Sequence, residues 1–240
     1  MKPFLVLQHL DVEHPGVLRE CMRDEGIGWD TVELDQGEAL PSLDGYQALI
    51  VMGGPMDVWQ EQEYPWLTAE KQFIREAVIE RDLPYLGLCL GHQLLAAALG
   101  GDVGPAQSAE VGVMQVGLTD AGRTHPFFSG FPDAFDTLQW HSAEVRRVPA
   151  GSKILASAPA CDIEAFAYGS RALGAQFHIE VTPSTFDDWK SIPAYEASLL
   201  DTLGPSGVDR FRADTAAQLE TFRALANTLW RNWRSEAFKP

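Results

Sequence analysis

The segment Pro84-Tyr85-Leu86-Gly87-Leu88-Cys89-Leu90-Gly91-His92-Gln93-Leu94-Leu95 constrains this chain more than any other. An apolar run ends in Gly-x-Cys-x-Gly and passes directly into a helix-like pattern. That layout predicts a strand, a sharp turn and a helix, with Cys89 at the apex where hydrolases often carry serine. Gly87 and Gly91 lack the Cβ atoms that would collide in so tight a turn. A helix starting after Cys89 turns its positive end toward the sulfur, which favours thiolate over thiol. The competing reading is a buried cysteine at a strand end, because free cysteines are usually core residues. The motif alone does not separate the two.

The same strand–helix alternation runs through the first hundred residues. Phe4 to Gln8 reads as a strand and His14 to Glu25 as a helix stopped by Gly26 and Gly28. Trp29 to Leu34 and Gln47 to Met52 read as two more strands, the latter followed by Gly53-Gly54-Pro55. Ala69, Phe73, Ala77 and Val78 mark one helical face, with Thr68 as its cap. Pro84 to Leu88 is the strand before the turn, and Gln93 to Leu99 the helix after it, ended by Gly100-Gly101. The pattern predicts an α/β fold with three layers, an open, mostly parallel sheet carrying helices on both faces. Chemistry then gathers at the carboxyl ends of the strands. Short strands dominate from Val111 to His178, at Val113 to Leu118, Lys153 to Ser157, Ile163 to Tyr168 and Ala172 to Phe177.

Far downstream, Gly174-Ala175-Gln176-Phe177-His178-Ile179-Glu180-Val181-Thr182-Pro183 alternates polar and apolar residues. In an extended strand, His178 and Glu180 fall on one side. A histidine that reaches a cysteine accepts its proton, and a carboxylate behind the ring fixes it and stabilises its charged form. Alone, such a strand reads equally as a solvated face.

Together, Gly-Leu-Cys-Leu-Gly-His-Gln and the later Gln-Phe-His-Ile-Glu-Val resemble the class I (triad-type) glutamine amidotransferases. The resemblance runs to about Pro183 and is strongest to the amidotransferase domain of GMP synthetase and its stand-alone relatives. Val51-Met52-Gly53-Gly54-Pro55-Met56 is similar to the family's Gly-Gly-Pro loop, and Glu110-Val111-Gly112 to its Glu-Ile-Gly-Trp segment. Two positions depart from the pattern. Ile179 stands where the family usually has proline, and Val113 where it often has tryptophan.

The resemblance implies a flavodoxin-like amidotransferase domain over 1–185, with 186–240 as a C-terminal helical extension packed on it. It implies a triad in which Cys89 is the nucleophile, His178 the base and Glu180 its orienting carboxylate. The Leu90 N–H, which follows the nucleophile, and by resemblance the Gly54 N–H supply the oxyanion hole, each such donor lowering the barrier by about 3 kcal/mol. Gln93, one turn after Cys89, contacts substrate. Trp140, Ser142 and Ala143 flank a family-type histidine, His141, and are candidates to hold the amino-acid end of glutamine. His141 and His92 are rival bases, while His9, His14 and His125 read as structural or exposed.

Composition agrees with a soluble, cytoplasmic enzyme. At 240 residues the chain is long enough to bury a substantial core. Its apolar start is too short for a signal peptide, and no run is long enough to span a bilayer. Three widely spaced cysteines form neither a disulfide framework nor a metal knuckle, so reduced thiols, no metal and no cofactor are expected. A formal charge of −16 argues against nucleic acid as a partner. In the tail, Leu219, Phe222, Ala226, Leu229 and Trp233 form a helical apolar stripe, with Trp230 beside it. The stripe either packs on the chain's own domain or serves a homodimer or acceptor contact.

Three function classes follow. The first is a glutaminase or amidotransferase that delivers ammonia to an acceptor, a synthetase subunit, since no synthetase-sized segment follows the triad. The second is a γ-glutamyl hydrolase or peptidase acting on another γ-glutamyl small molecule. The third is a non-catalytic regulatory or binding module, which the intact triad disfavours.

Overall fold

Nine strands form one mixed sheet with helices on both faces in a computed structural model that describes residues 2–239. The strands are β1 (Phe4–Gln8), β2 (Trp29–Glu33), β3 (Leu49–Val51), β4 (Tyr85–Leu88), β5 (Asp102–Leu118), β6 (Ala134–Arg147), β7 (Ser152–Ser157), β8 (Ala165–Tyr168) and β9 (Ala172–Ala175). The helices are α1 (Leu18–Asp24), α2 (Trp66–Arg75), α3 (Leu90–Ala98), α4 (Asp120–Thr124), α5 (Thr185–Lys190) and α6 (Pro193–Ala237).

Strand order is β2-β1-β3-β4-β9-β8-β7-β5-β6. The first five strands are parallel and the rest antiparallel. The parallel half is buried on both faces, and β1, β3 and β4 contain no exposed residue. Phe4, Val6, Ile50, Leu86 and Leu88 point to the face covered by α1, α5 and α6. Leu5, Leu7, Leu49, Val51 and Tyr85 point to the face covered by α2 and α3. The chain reverses its direction of winding between β1 and β3, so a crevice opens at the carboxyl ends of these strands.

The tail stripe is buried. Phe222, Ala226 and Trp233 have no exposed surface, and Leu229 and Trp230 are 2% exposed. Trp233 Nε1–H donates to Tyr85 O at 3.1 Å, and its ring meets Phe4 edge-on at 6.0 Å. Trp230 Nε1–H donates to Glu25 Oε1 at 2.6 Å, tying α6 to the end of α1. The stripe therefore serves the chain's own core. Helix α6 breaks at Gly204, whose φ of 65° and ψ of 171° redirect the chain just before Pro205.

Several boundaries move from those expected. Helix α1 begins at Leu18 rather than His14, because Gly16 turns back at φ 48° and packs on the Glu180 carbonyl. A Cβ on Gly16 would lie 1.9 Å from that oxygen. Helix α2 begins at Trp66 behind Pro65, and Thr68 is not its cap; the Thr68 hydroxyl bonds Glu61 instead. Helix α2 runs on into a wider turn over Glu76–Glu80. Strand β5 is 17 residues long where only its last part was expected, and β6, 14 residues long, was not expected at all. Strand β9 ends at Ala175, so His178 lies beyond it and meets β6 through one antiparallel bridge to Leu138.

Candidate active site

Cys89 sits between β4 and α3 with φ 52° and ψ −105°, backbone that a non-glycine residue adopts only when its surroundings force it. The forcing contacts are visible. A Cβ on Gly87 would lie 2.5 Å from Gly91 O, and one on Gly91 would lie 2.1 Å from Val51 O. The Tyr85 hydroxyl donates to Gly91 O at 2.7 Å, and Gly91 N–H donates to Met52 O at 3.1 Å. Helix α3 starts at Leu90, immediately after the cysteine, three residues earlier than expected. Of its first N–H groups, Gly91 N–H is taken by Met52 O and Gln93 N–H by Cys89 O, whereas Leu90 N–H has no partner among the described residues.

The segment after β9 supplies the rest. His178 Nδ1 lies 2.6 Å from Glu180 Oε1, and both side chains are buried. Glu180 Oε2 accepts from its neighbour's backbone, Ile179 N–H, at 3.0 Å. Burial alone would lower the His178 pKa. The Glu180 carboxylate, together with hydrogen bonding and charge from Cys89, outweighs it and holds His178 well above its ordinary value. Gln176 Nε2 lies 3.5 Å from Cys89 Sγ, and Gln176 Oε1 accepts from Gln93 Nε2 at 3.0 Å. Gln176, His178 and Glu180 thus share one side although the segment has left the regular strand.

A pocket of about 100 Å³, open to solvent, lies over the sulfur. Gly54, Cys89, Gln93, Trp140, Ser142 and Ala143 all line it. Gln93 Nε2 also donates to Ala143 O at 3.1 Å, so both its amide hydrogens are engaged. Among the described residues neither Gly54 N–H nor Leu90 N–H donates to any protein group.

The two rival bases separate. His92 is fully buried against the Phe166 ring, and burial lowers its pKa to about 3, so it stays neutral. His141 lines the pocket, but its ring is engaged by Ala143 O at 3.0 Å and lies 3.3 Å from Glu110 Oε2, not against Glu144. Behind His141, Glu110 and Glu164 complete a buried group whose candidate ligand atoms lie within 4.8 Å of one another. Burial raises Glu164 to about 8, and in its protonated form it donates to Glu110 while accepting from Gln139 Nε2 at 2.9 Å.

The crevice also holds residues that the motifs did not nominate. Glu13, 2% exposed, faces His178 and Glu180 and bonds the Tyr195 hydroxyl from α6. Burial raises the Glu13 pKa, partly offset by the His178 charge and the Tyr195 bond. Ala194, Tyr195 and Ser198 of α6 form one wall of the pocket. The Trp189 ring of α5 packs edge-on to His178 at 4.7 Å, and its N–H donates to Val12 O at 3.1 Å. His9, expected to be structural or exposed, is fully buried at the end of β1 and contacts the Gly53 carbonyl. A polar residue just past a buried parallel strand was the available signal for His9 and Glu13. Tyr195 carried none.

Known proteins align with this arrangement. Residues 15–190 match the family described as glutamine amidotransferase class-I. The glutamine amidotransferase-like protein YfeJ of Salmonella typhimurium is 32% identical over 229 residues, covering 93% of this chain and 92% of that protein. One subunit of the glutamine-hydrolyzing GMP synthase of Archaeoglobus fulgidus is 30% identical over 189 residues, covering 78% of this chain and 92% of its own length. The GMP synthase of Aeropyrum pernix is 33% identical over 161 residues, which span only 29% of that protein. A glutamine amidotransferase from Thermotoga maritima superposes with a TM-score of 0.85 at 27% identity, over 96% of this chain and 97% of that one.

Proposed function

Because the chain belongs to the class I glutamine amidotransferases, we propose that it cleaves the side-chain amide of glutamine through a γ-glutamyl thioester on Cys89. The Cys89 sulfur, as thiolate, attacks the amide carbon. The negative charge that develops on the carbonyl oxygen is met by the Gly54 and Leu90 N–H groups, which have no protein partner among the described residues. His178 holds the proton taken from the thiol and passes it to the departing nitrogen, so ammonia leaves and the thioester remains. Water then attacks the thioester carbon and gives a proton to His178. Glutamate departs and the thiolate is restored, so glutamine and water become glutamate and ammonia. Glu180 keeps one His178 nitrogen engaged throughout, leaving the other free for these transfers.

One observation carries this reading: a cysteine held at positive φ at a helix start, with a buried His–Glu pair at 2.6 Å beside it. Purified protein should release glutamate from glutamine, and Cys89→Ala should abolish release while the fold is retained. A folded Cys89→Ala protein with near wild-type turnover would refute the thioester route.

A second reading has its own support. The pocket is walled by this chain's α6 and opens to solvent, which leaves room for a leaving group larger than ammonia. The specificity constants of the isolated protein for glutamine and for larger γ-glutamyl amides separate the readings. Preference for glutamine, with turnover raised by a synthetase-type subunit, supports ammonia delivery. Preference for a larger amide with no partner present makes the protein a γ-glutamyl hydrolase. Both keep the same nucleophile and the same thioester.

A further inference from the structure

The Gly53–Gly54 peptide has a buried support that the amidase reading does not itself require. His9 Nδ1 lies 2.7 Å from Gly53 O, and His9 Nε2 lies 3.0 Å from Glu70 Oε1. His9 and Glu70 are both fully buried, on β1's exit and on α2. A carbonyl oxygen only accepts, so His9 Nδ1 carries a hydrogen. Glu70 Oε1 engages Nε2, so the ring is fastened at both nitrogens, in a setting that favours its positive charge. Burial opposes that charge, but Glu70 and the Gly53 carbonyl outweigh it, and the His9 pKa is raised. Trp66 stacks on the ring at 5.4 Å and 17°, fixing its plane.

The Gly53 carbonyl and the Gly54 N–H belong to one peptide group, and every peptide bond among the described residues is trans. In a planar trans peptide the C=O and N–H point in opposite directions. Fastening the carbonyl to His9 therefore aims the Gly54 N–H away from His9. Gly54 itself lines the pocket with Cys89, and its N–H has no protein partner among the described residues. Two glycines in succession have little intrinsic preference for one peptide orientation. The packing is close all the same: a Cβ on Gly54 would lie 2.9 Å from His9 Cβ and 3.0 Å from Leu90 Cδ2.

We propose that His9, held by Glu70, is a positioning residue that pins the Gly53 carbonyl and so keeps the Gly54 N–H turned into the oxyanion hole. The inference rests on the amidase reading for its kinetic consequence and on geometry alone for the peptide orientation. His9 touches neither substrate nor sulfur. It acts only through the peptide, so it stabilises the transition state and leaves ground-state binding and thiol reactivity unchanged.

The test uses three forms of the full chain: wild type, His9→Leu and His9→Asn. Asparagine places an N–H donor close to the position of imidazole Nδ1, whereas leucine places none. With glutamine and γ-glutamyl-p-nitroanilide as substrates, His9→Leu should lower kcat by about 100-fold, the typical cost of one lost oxyanion donor, with KM within about threefold. His9→Asn should recover at least about a tenth of wild-type kcat. Alkylation of Cys89 by iodoacetamide, which needs no oxyanion hole, should proceed at the wild-type rate in both variants. A His9→Leu enzyme within about threefold of wild-type kcat overturns the proposal. So does a loss that His9→Asn shares in full, or one accompanied by loss of Cys89 alkylation. If wild type hydrolyses neither substrate, the amidase reading fails and crystal structures of the variants decide the positioning role. An unchanged Gly53–Gly54 peptide in His9→Leu, or in His9→Asn with its amide turned away from Gly53 O, then overturns it.

Discussion

At the scale of single residues, the site buries titratable groups, and burial shifts their protonation. Glu164 is the clearest case, because its carboxyl is pushed up to about 8 by burial, with Glu110 adding to the shift. A carboxyl with a folded-state pKa above its unfolded value binds more protons when folded. Its stabilising contribution is complete below the unfolded value and is lost as pH rises through about 8. Glutamine reproduces the protonated form, accepting from Gln139 and donating to Glu110. We therefore expect Glu164→Gln to raise Tm relative to wild type at about pH 9 and to leave it unchanged at about pH 5. An equal shift at both pH values would show that the native carboxyl is not protonated. Residue identity made part of this site readable beforehand. Cys89, His178, Glu180 and the lining residues sit in short local motifs, so their meeting in one crevice could be expected from neighbours in sequence. Glu13, His9, Glu70 and Tyr195 converge from the segment after β1, from α2 and from α6, and no local motif announces the meeting.

At the scale of elements, legibility followed periodicity. Strands β1, β3 and β4 are continuous apolar runs between glycine or proline signals, and their positions were foreseen. Strand β6 was not, because Thr137 to His141 are buried on both faces while Thr137, Gln139 and His141 are polar. Burying polar residues against Glu164 and Glu110 erased the alternation by which half-exposed strands are read. The strand carrying His178 was overextended for the opposite reason: the alternation continues through Glu180 although the ladder stops at Ala175. The α6 stripe was legible as a helix face, but not what it covered. Its weight can be measured. Trp233→Ala removes a fully buried indole and its bond to Tyr85 O, and should cost about 3–5 kcal/mol in urea unfolding with the slope unchanged. Thr221→Ala, on the exposed side of the helical segment that carries Trp233, should fall within about 0.5 kcal/mol of wild type. Equal effects would mean that α6 is not docked as described. Arg223–Glu20 and Arg234–Glu25 also link α6 to α1, but they are partly exposed and add little beside the aromatic packing.

At the scale of the whole molecule, the family match ends at residue 190, yet the core does not. One apolar cluster joins Phe4 and Val6 of β1 to Phe222, Trp230 and Trp233 of α6, and Trp140 to Tyr195 and Phe211. A fragment of residues 1–190 would leave one face of the sheet in water. We expect it to bind a hydrophobic dye, to elute as aggregate and to show no cooperative melting. A monomeric 1–190 fragment with a sharp transition would establish residues 191–240 as a dispensable appendage. The acidic surface adds no such dependence. At a net charge of −16 the molecule repels itself mildly, and this favours dispersal over assembly. No helix among the described residues is long and apolar enough to cross a membrane.

The bond between the Tyr195 hydroxyl and Glu13 joins positions 182 residues apart. It has a consequence in time as well as in space. During synthesis β1 emerges before α6, and its Phe4 finds its aromatic neighbours only when Trp230, Trp233 and Phe238 have been made. Contacts so distant along the chain are closed late and slowly. A nascent chain therefore carries Cys89 and the His178–Glu180 pair before the pocket wall at Tyr195 has been made, and the crevice gains that wall last.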